Sequence, residues 1–231
     1  MKKGFTLSEV LITLGIIGII AVLTIPGLMK NYSNRIYVSE LQKAYALVSE
    51  AVQNIMNDEH TDNFQRTSAS AKNPAGCPGD MTKCTEGPMY FLMNYFKTMK
   101  TKCGPEGDST CAKNNLYKNL NNEPVNTLGT THGCVQTVSG MTLCGGYNPS
   151  NKCLSMGIDV NGLNQPNVAG RDIFSIDIHK DGSITDWGSC CEDNNTGAPG
   201  NRCGLGNTSS AVQAAAGCLN NVLEAGWKME Y

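Results

Sequence analysis

Motifs for catalysis are missing from this sequence, and it has little charge. It contains no phosphate-binding P-loop, no G-x-S-x-G or H-E-x-x-H motif and no dinucleotide-binding fingerprint, which excludes the enzyme classes built on them. Charged residues make up only 16% of the 231 positions, and 18 basic residues stand against 20 acidic ones. This balance argues against a nucleic-acid-binding protein that relies on bulk positive charge.

A catalytic pair of acids is also missing. Asp177 and Asp181 are close in the sequence, but they flank a turn in which both carboxylates are predicted to be solvated. The chain is therefore predicted not to be an enzyme.

Cysteine is absent before residue 77, yet eleven cysteines follow. No C-x-x-C pair occurs, and His60, His132 and His179 have no zinc-like spacing, so disulfides formed in an oxidising compartment are predicted instead of zinc. The odd number leaves one thiol free or paired between chains. The predicted disulfide cysteines are Cys77, Cys84, Cys103, Cys111, Cys134, Cys144, Cys190, Cys191, Cys203 and Cys218.

The N-terminal region contains a long hydrophobic run. Val10–Ile25 carries no charge, and Phe5–Ile25 approaches the roughly 20 residues that a helix needs to cross a bilayer. Lys2 and Lys3 precede the run, which favours a cytoplasmic N-terminus. A cleaved secretory signal is disfavoured because no small-x-small site ends the run. A plain anchor leaves Glu9 unexplained, because an acid in a spanning helix costs a few kcal/mol.

The stretch Gly4-Phe5-Thr6-Leu7-Ser8-Glu9 resembles the prepilin cleavage and methylation motif of type IV pilins and type II secretion pseudopilins. The resemblance implies that a prepilin peptidase cuts after Gly4 and N-methylates Phe5. Glu9 would then be the fifth mature residue, whose carboxylate meets the N-terminal amine of a neighbouring subunit during assembly. Ser8 departs from the family, in which many relatives carry Ile at this position.

The helix is predicted to continue beyond the membrane. Gly18 and Pro26 weaken a helix, and they match positions where pilin helices loosen on polymerisation. An apolar stripe follows at spacings of three and four, which indicates an amphipathic helix that packs under a head. One helix of roughly 80 Å is predicted from about Phe5 to Asn57. The stripe consists of Tyr37, Leu41, Tyr45, Val48, Val52 and Ile55.

The remainder is predicted to form a disulfide-rich head. Cys77 and Cys84 could close a small ring, and a hairpin around Gly140 would set Cys134 opposite Cys144. Other pairings stay open, since connectivity does not follow from sequence. The other predicted elements are a loop over 58–88, a helix at 89–96, a strand at 173–178, its return at 184–187 and a helix at 209–225.

A calcium site is one interpretation of the segment Asp159-Val160-Asn161-Gly162. Oxygen ligands from Asp159 and Asn161 around a glycine turn, with Asp172 as a further ligand, are typical of calcium loops. The alternative is a turn in which these side chains bond to their own backbone. No other cofactor is predicted.

The sequence predicts an α+β fold: a long N-terminal helix, half membrane-spanning and half amphipathic, packed on a small antiparallel sheet. The predicted parts are a leader (1–4), an assembly helix (5–57) and a cysteine-rich head (58–231). By resemblance, the chain is a structural subunit of a type IV pilus or type II secretion pseudopilus. A minor pilin with a ligand-binding or adhesive head is the alternative. The implied partners are other subunits, the prepilin peptidase and an inner-membrane assembly platform, with a cytoplasmic leader and a periplasmic head before fibre entry.

Overall fold

The N-terminal helix is the longest element of the chain. The computed structural model describes residues 4, 6–77, 80–99, 116–125, 128, 133–149, 153–188, 203–204 and 210–231. Helix α1 spans Leu7–Asp58 without interruption, including Pro26. The predicted helix is confirmed to within two residues, because its first half is rich in helix-forming apolar residues and its second half carries an amphipathic stripe.

The chain consists of two compact units, and the boundary between them lies within α1. The first is Met1–Ile36 and the second is Tyr37–Tyr231. In the second unit, Leu41, Val48, Val52 and Ile55 of the predicted stripe are fully buried. Tyr37 and Tyr45 pack against the same core while partly buried. This part of α1 therefore contributes one side of the head's hydrophobic core.

The first part of the head, directly after α1, contains short helices. The predicted loop over 58–88 contains three 3-10 helices, at Phe64–Arg66, Ser68–Ser70 and Met81–Lys83. Helix α2 spans Gly87–Tyr95 and begins two residues earlier than predicted. Pro88 explains the early start, since its fixed backbone angle suits the first turn of a helix.

The described part of the head contains the strands β1 Tyr117–Lys118, β2 Pro124–Val125, β3 Cys134–Gln136, β4 Thr142–Asn148, β5 Cys153–Asp159, β6 Ile173–Ile178 and β7 Ile184–Asp186. Strands β3 to β7 form a five-stranded antiparallel sheet in the order β3-β4-β5-β6-β7. Each strand of this sheet pairs with the next in the sequence, and Cys134 lies opposite Cys144 in the predicted hairpin. Strands β1 and β2 form a separate pair.

The burial of strand β6 differs from the prediction. All six of its residues are buried, although the alternating pattern suggested one polar face. The prediction that Asp177 is solvated is wrong, because its side chain is only 2% exposed. Asp177 accepts hydrogen bonds from the Ser155 hydroxyl (2.6 Å) and the Gly188 N–H (2.7 Å). These two partners satisfy its carboxylate in the interior, whereas Asp181 lies in the exposed turn as predicted.

The C-terminal helix is broken in two. One helix over 209–225 was predicted, but the structure has α3 at Ala211–Ala214 and α4 at Cys218–Glu224. Ala215 caps the end of α3, and Gly217, with a left-handed φ of +86°, is the N-cap residue of α4. Beyond α4, the ring of Trp227 meets Tyr45 edge to face at 5.7 Å.

Disulfides join cysteines throughout the head. Bonds link Cys77 to Cys84, Cys134 to Cys144, and Cys203 to Cys218. Cys153 is also disulfide-bonded, so its omission from the predicted disulfide cysteines was wrong. It was missed because nothing in its spacing pointed to a partner. The predicted Cys103, Cys111, Cys190 and Cys191 lie outside the described residues.

Candidate functional site

The first turn of α1 is capped by Thr6 and Glu9, and the side chain of each accepts the backbone N–H of the other. Oε2 of Glu9 accepts hydrogen bonds from the backbone N–H of Thr6 (2.8 Å) and from its hydroxyl (2.7 Å). The backbone N–H of Glu9 in turn donates to the Thr6 hydroxyl oxygen at 3.3 Å. This is a capping box, which satisfies N–H groups that a helix otherwise leaves unbonded at its first turn.

The predicted processing site lies just before this cap. Gly4 is exposed and outside any helix, and no atom lies within 4 Å of a Cβ added to it. Phe5 lies outside the described residues. Because α1 begins only at Leu7, the carbonyl side of the predicted cut is free of helical hydrogen bonding.

The first half of α1 presents apolar side chains on all sides. No charged residue occurs from Val10 to Met29, a stretch of about 30 Å in a helix, which matches the thickness of a bilayer's hydrocarbon core. Leu7 and Leu23 are each more than three-quarters exposed. By length and composition, α1 is a helix that could cross a membrane.

Gly18 and Pro26 lie within this apolar half. No atom lies within 4 Å of a Cβ added to Gly18, so neighbouring side chains do not require a glycine there. Pro26 has no N–H, so the helix lacks one hydrogen bond at the preceding turn. The helix is nevertheless continuous in the single chain, and loosening on polymerisation stays a prediction.

The structure brings the three predicted calcium ligands to one loop. Asp159 and Asp172 are both 0% exposed, and Asn161 donates its backbone N–H to Oδ1 of Asp159 (3.3 Å). Burial raises the pKa of Asp159 well above its usual value, and the charge of Asp172 raises it further. Burial also raises the pKa of Asp172, against the lowering effect of the Val168 and Asn167 N–H groups. Within the described part of the chain, no three His, Cys, Asp or Glu residues cluster as metal ligands.

Two important residues were missed from the sequence. Thr6 could have been found, because T-x-x-E before an apolar run is a capping-box pattern. Asp186 could not, because its partners are distant in the sequence: its oxygens accept the N–H groups of Gly217 (2.8 Å) and Asn220 (3.0 Å) at the start of α4.

Residues 1–25 match the family model of the prokaryotic N-terminal methylation motif. The predicted cleavage and methylation segment, the capping box and the first part of the apolar helix all fall inside this match. No curated protein and no solved structure matches the chain.

Proposed function

We propose that this chain, which carries the N-terminal signature of type IV pilins and pseudopilins, is a structural prepilin of a type IV pilus or a type II secretion pseudopilus. The observation that carries the proposal is the match to the methylation motif at residues 1–25. An exposed apolar helix follows directly, which fits membrane anchoring and a place in a pilus-type fibre. Proteins with this motif are structural, which supports a non-enzymatic role.

Processing is proposed to occur between Gly4 and Phe5. The exposed, non-helical Gly4 supports this site, because a peptidase binds its substrate most readily in extended backbone. The cut would release the short basic leader and leave Phe5 as the methylated N-terminus. The capping box at Thr6 and Glu9 lies wholly on the mature side of the cut, so cleavage leaves it intact.

Assembly is proposed to depend on the charge of Glu9. In the single chain, Thr6 supplies two hydrogen bonds to this carboxylate but no positive charge. A carboxylate and an ammonium group in hydrocarbon each need a partner of opposite charge. The N-terminal amine of a neighbouring subunit would supply that partner, and the apolar surfaces of the two helices would be buried together. Head-to-tail contacts of this kind build open filaments.

The test is to co-express the full chain with a prepilin peptidase and an assembly platform, shear the cells and analyse the sheared fraction by mass spectrometry. The expected product begins at N-methylated Phe5. Gly4→Val should remain uncut, whereas Gly27→Ala, equally free of contacts within 4 Å, should be cut normally. A wild-type chain that stays uncut in the membrane would overturn the proposal.

Assembly is tested separately from processing. Glu9→Ala should be cut and methylated but largely absent from the sheared fraction. Glu50→Ala serves as the control, because Glu50 is an exposed glutamate of the same helix that lies outside the apolar segment. Normal polymerisation of Glu9→Ala would show that the carboxylate has no role in assembly.

A further inference from the structure

The apolar segment of α1 gives way to a short polar segment. Its last residue is Met29, and six polar or aromatic residues follow before Ile36. These six, called the boundary segment below, are Lys30, Asn31, Tyr32, Ser33, Asn34 and Arg35. All of them belong to the first compact unit of the chain. The surface of the helix therefore changes from apolar to polar within one turn.

The boundary segment is about as long as the headgroup layer of a bilayer is thick. When Val10–Met29 spans the hydrocarbon core of about 30 Å, the six residues extend about 9 Å beyond it along the helix axis. The headgroup layer adds about 5–8 Å on each side of the core. Because α1 is continuous through this region, the boundary segment of a membrane-spanning α1 lies at the depth of the lipid phosphates.

The two basic residues of the boundary segment have no acidic partner. The sequence contains no Asp or Glu between Glu9 and Glu40. Among the described residues, neither Lys30 nor Arg35 forms an ion pair, and both are exposed. Glu40 is itself paired with Lys43, at 2.6 Å. Two positive charges thus follow the hydrocarbon-spanning stretch without a counter-charge on their own helix.

The side chains of the boundary segment are distributed around the helix. At about 100° per residue, Lys30 and Arg35 are about 140° apart around the axis. Tyr32 lies on the same face as Leu28, one turn further along, and the two side chains are 63% and 71% exposed. A tyrosine at the end of an apolar segment is typical of the aromatic belt at a membrane surface. This arrangement suits a layer of lipids that surrounds the helix better than a single partner on one side.

We propose that Lys30, Tyr32 and Arg35 bind the headgroups of anionic phospholipids at the C-terminal end of the membrane-spanning segment. The ammonium group of Lys30 and the guanidinium group of Arg35 would bind lipid phosphates, and Arg35 can do so through two parallel hydrogen bonds. The ring of Tyr32 would lie against the acyl chains with its hydroxyl among the headgroups. Phosphatidylglycerol is favoured over phosphatidylcholine, because the choline of the latter neutralises its phosphate.

The competing partner is an acidic side chain of a second copy of the chain. Such an ion pair would also satisfy the two basic residues, but it requires two protein molecules. A monomer that retains anionic lipid through these residues distinguishes the two explanations. The inference rests on membrane insertion of α1, which is part of the proposed function, and on neither cleavage nor fibre formation.

The test is native mass spectrometry of the full chain, released as a monomer from detergent micelles. The micelles contain equal amounts of phosphatidylglycerol and phosphatidylcholine with identical acyl chains. The wild type should retain phosphatidylglycerol about 25-fold more than phosphatidylcholine, because each basic residue at an anionic surface contributes about fivefold. Equal retention of the two lipids by the wild type overturns the proposal and favours the contact between copies.

Matched variants locate the site. Lys30→Gln and Arg35→Gln should each lower the preference about fivefold, and the double variant about 25-fold. Lys43→Gln is the control, because it removes the same charge from the same helix, but this charge is already paired with Glu40. That variant should keep the preference. Lys30 and Arg35 are exposed, so the substitutions should leave the melting temperature of the head unchanged. An unchanged preference in the double variant overturns the proposal.

A position-specific measurement excludes a contribution from Lys2 and Lys3 at the other end of the apolar run. The full chain, labelled with ¹³C at the guanidinium carbon of arginine, is reconstituted in phosphatidylglycerol vesicles. Dephasing of this carbon by lipid ³¹P is then measured by solid-state NMR. The wild type should show dephasing, Arg35→Gln should lose it, and Arg66→Gln, which alters an arginine of the head, should keep it. Dephasing that survives in Arg35→Gln overturns the assignment of Arg35.

Extraction of the same vesicles with alkaline carbonate separates this inference from the proposed function. A chain that carbonate washes off the vesicles contradicts membrane anchoring and overturns both proposals. A chain that stays in the membrane fraction but shows no preference for phosphatidylglycerol overturns this inference alone.

Discussion

Thr6 and Glu9 are bonded to each other in both directions, each accepting the backbone N–H of the other on its side chain. The acid that is proposed to recognise a neighbouring subunit thus also closes its own helix. Glu9 thus caps the helix and is also proposed to pair with a neighbouring subunit, whereas Thr6 takes part only in the cap. A mutation of Thr6 therefore removes the cap and leaves the carboxylate of Glu9 in place.

Thr6→Val should loosen the start of α1. Loss of the cap costs about 1 kcal/mol, so amide exchange at Glu9 and Val10 should accelerate about fivefold in detergent micelles. Thr13→Val is the matched control, because the Thr13 hydroxyl only bonds the Val10 carbonyl within the helix. Equal exchange rates in both variants would show that the cap contributes nothing to the order of the helix.

The stability of the head should depend on pH through Asp186. Burial raises the pKa of Asp186 to about 6, against the lowering effect of the Gly217 and Asn220 N–H groups. The folded protein then binds this proton more tightly than the unfolded chain, whose aspartate titrates near 3.8. The free energy of unfolding should therefore fall as the pH rises from about 4 to about 6, by up to ~3 kcal/mol.

Urea unfolding between pH 4 and pH 7.5 in EDTA checks this prediction. Asp186→Asn should make the decline in stability shallower, leaving the part due to Asp159 and Asp172, whose pKa values are raised by burial as well. Asp181→Asn should keep the decline, because hydrogen bonds from Ser183 lower the pKa of Asp181, and a lowered pKa cannot cause a loss of stability as the pH rises. A slope unchanged in Asp186→Asn would contradict the assignment.

Gly170 should tolerate no side chain. It has φ +83°, and a Cβ would lie 2.6 Å from the sulfur of Cys218 and 3.1 Å from that of Cys203. Gly170→Ala should lower the free energy of unfolding by about 2–5 kcal/mol, the sum of backbone strain and overpacking. Gly140→Ala, with φ +92° but no atom within 4 Å, should show only the backbone part, about 1–2 kcal/mol. Equal losses in urea titrations would rule out the steric contribution of the disulfide.

The disulfides should differ in their contribution to stability. Replacing Cys203 and Cys218 by alanine opens a bond with a sequence separation of 15 and should cost about 3 kcal/mol in urea unfolding. The same replacement of Cys77 and Cys84, separated by 7, should cost about 2.4 kcal/mol by the same relation. A larger loss from the shorter loop would contradict a chain-entropy origin.

The features predicted correctly from the sequence are those set by nearby residues. The apolar run and the stripe place α1 within two residues of its observed ends. The β3–β4 register follows from Gly140, whose left-handed φ was predicted and is found, together with the two cysteines on either side. In both cases the residues that determine the structure are close to one another in the sequence.

The features that were missed depend on contacts distant in the sequence. A single glycine within an alanine-rich segment does not by itself predict a break, yet a new helix starts after Gly217, whose N–H donates to Asp186, 31 residues away. Likewise, Asp177 looked solvated because its hydroxyl partner, Ser155, lies 22 residues earlier on another strand. Such partners become visible only once the strands are paired.

Pairing along the chain also bears on how the head can fold. Each strand of the large sheet pairs with its predecessor, and the three described disulfides join cysteines that are neighbours in the sequence of cysteines. Native contacts of short sequence separation form quickly. Each of these three bonds can therefore close within its own short segment of chain, without waiting for distant parts of the head to fold.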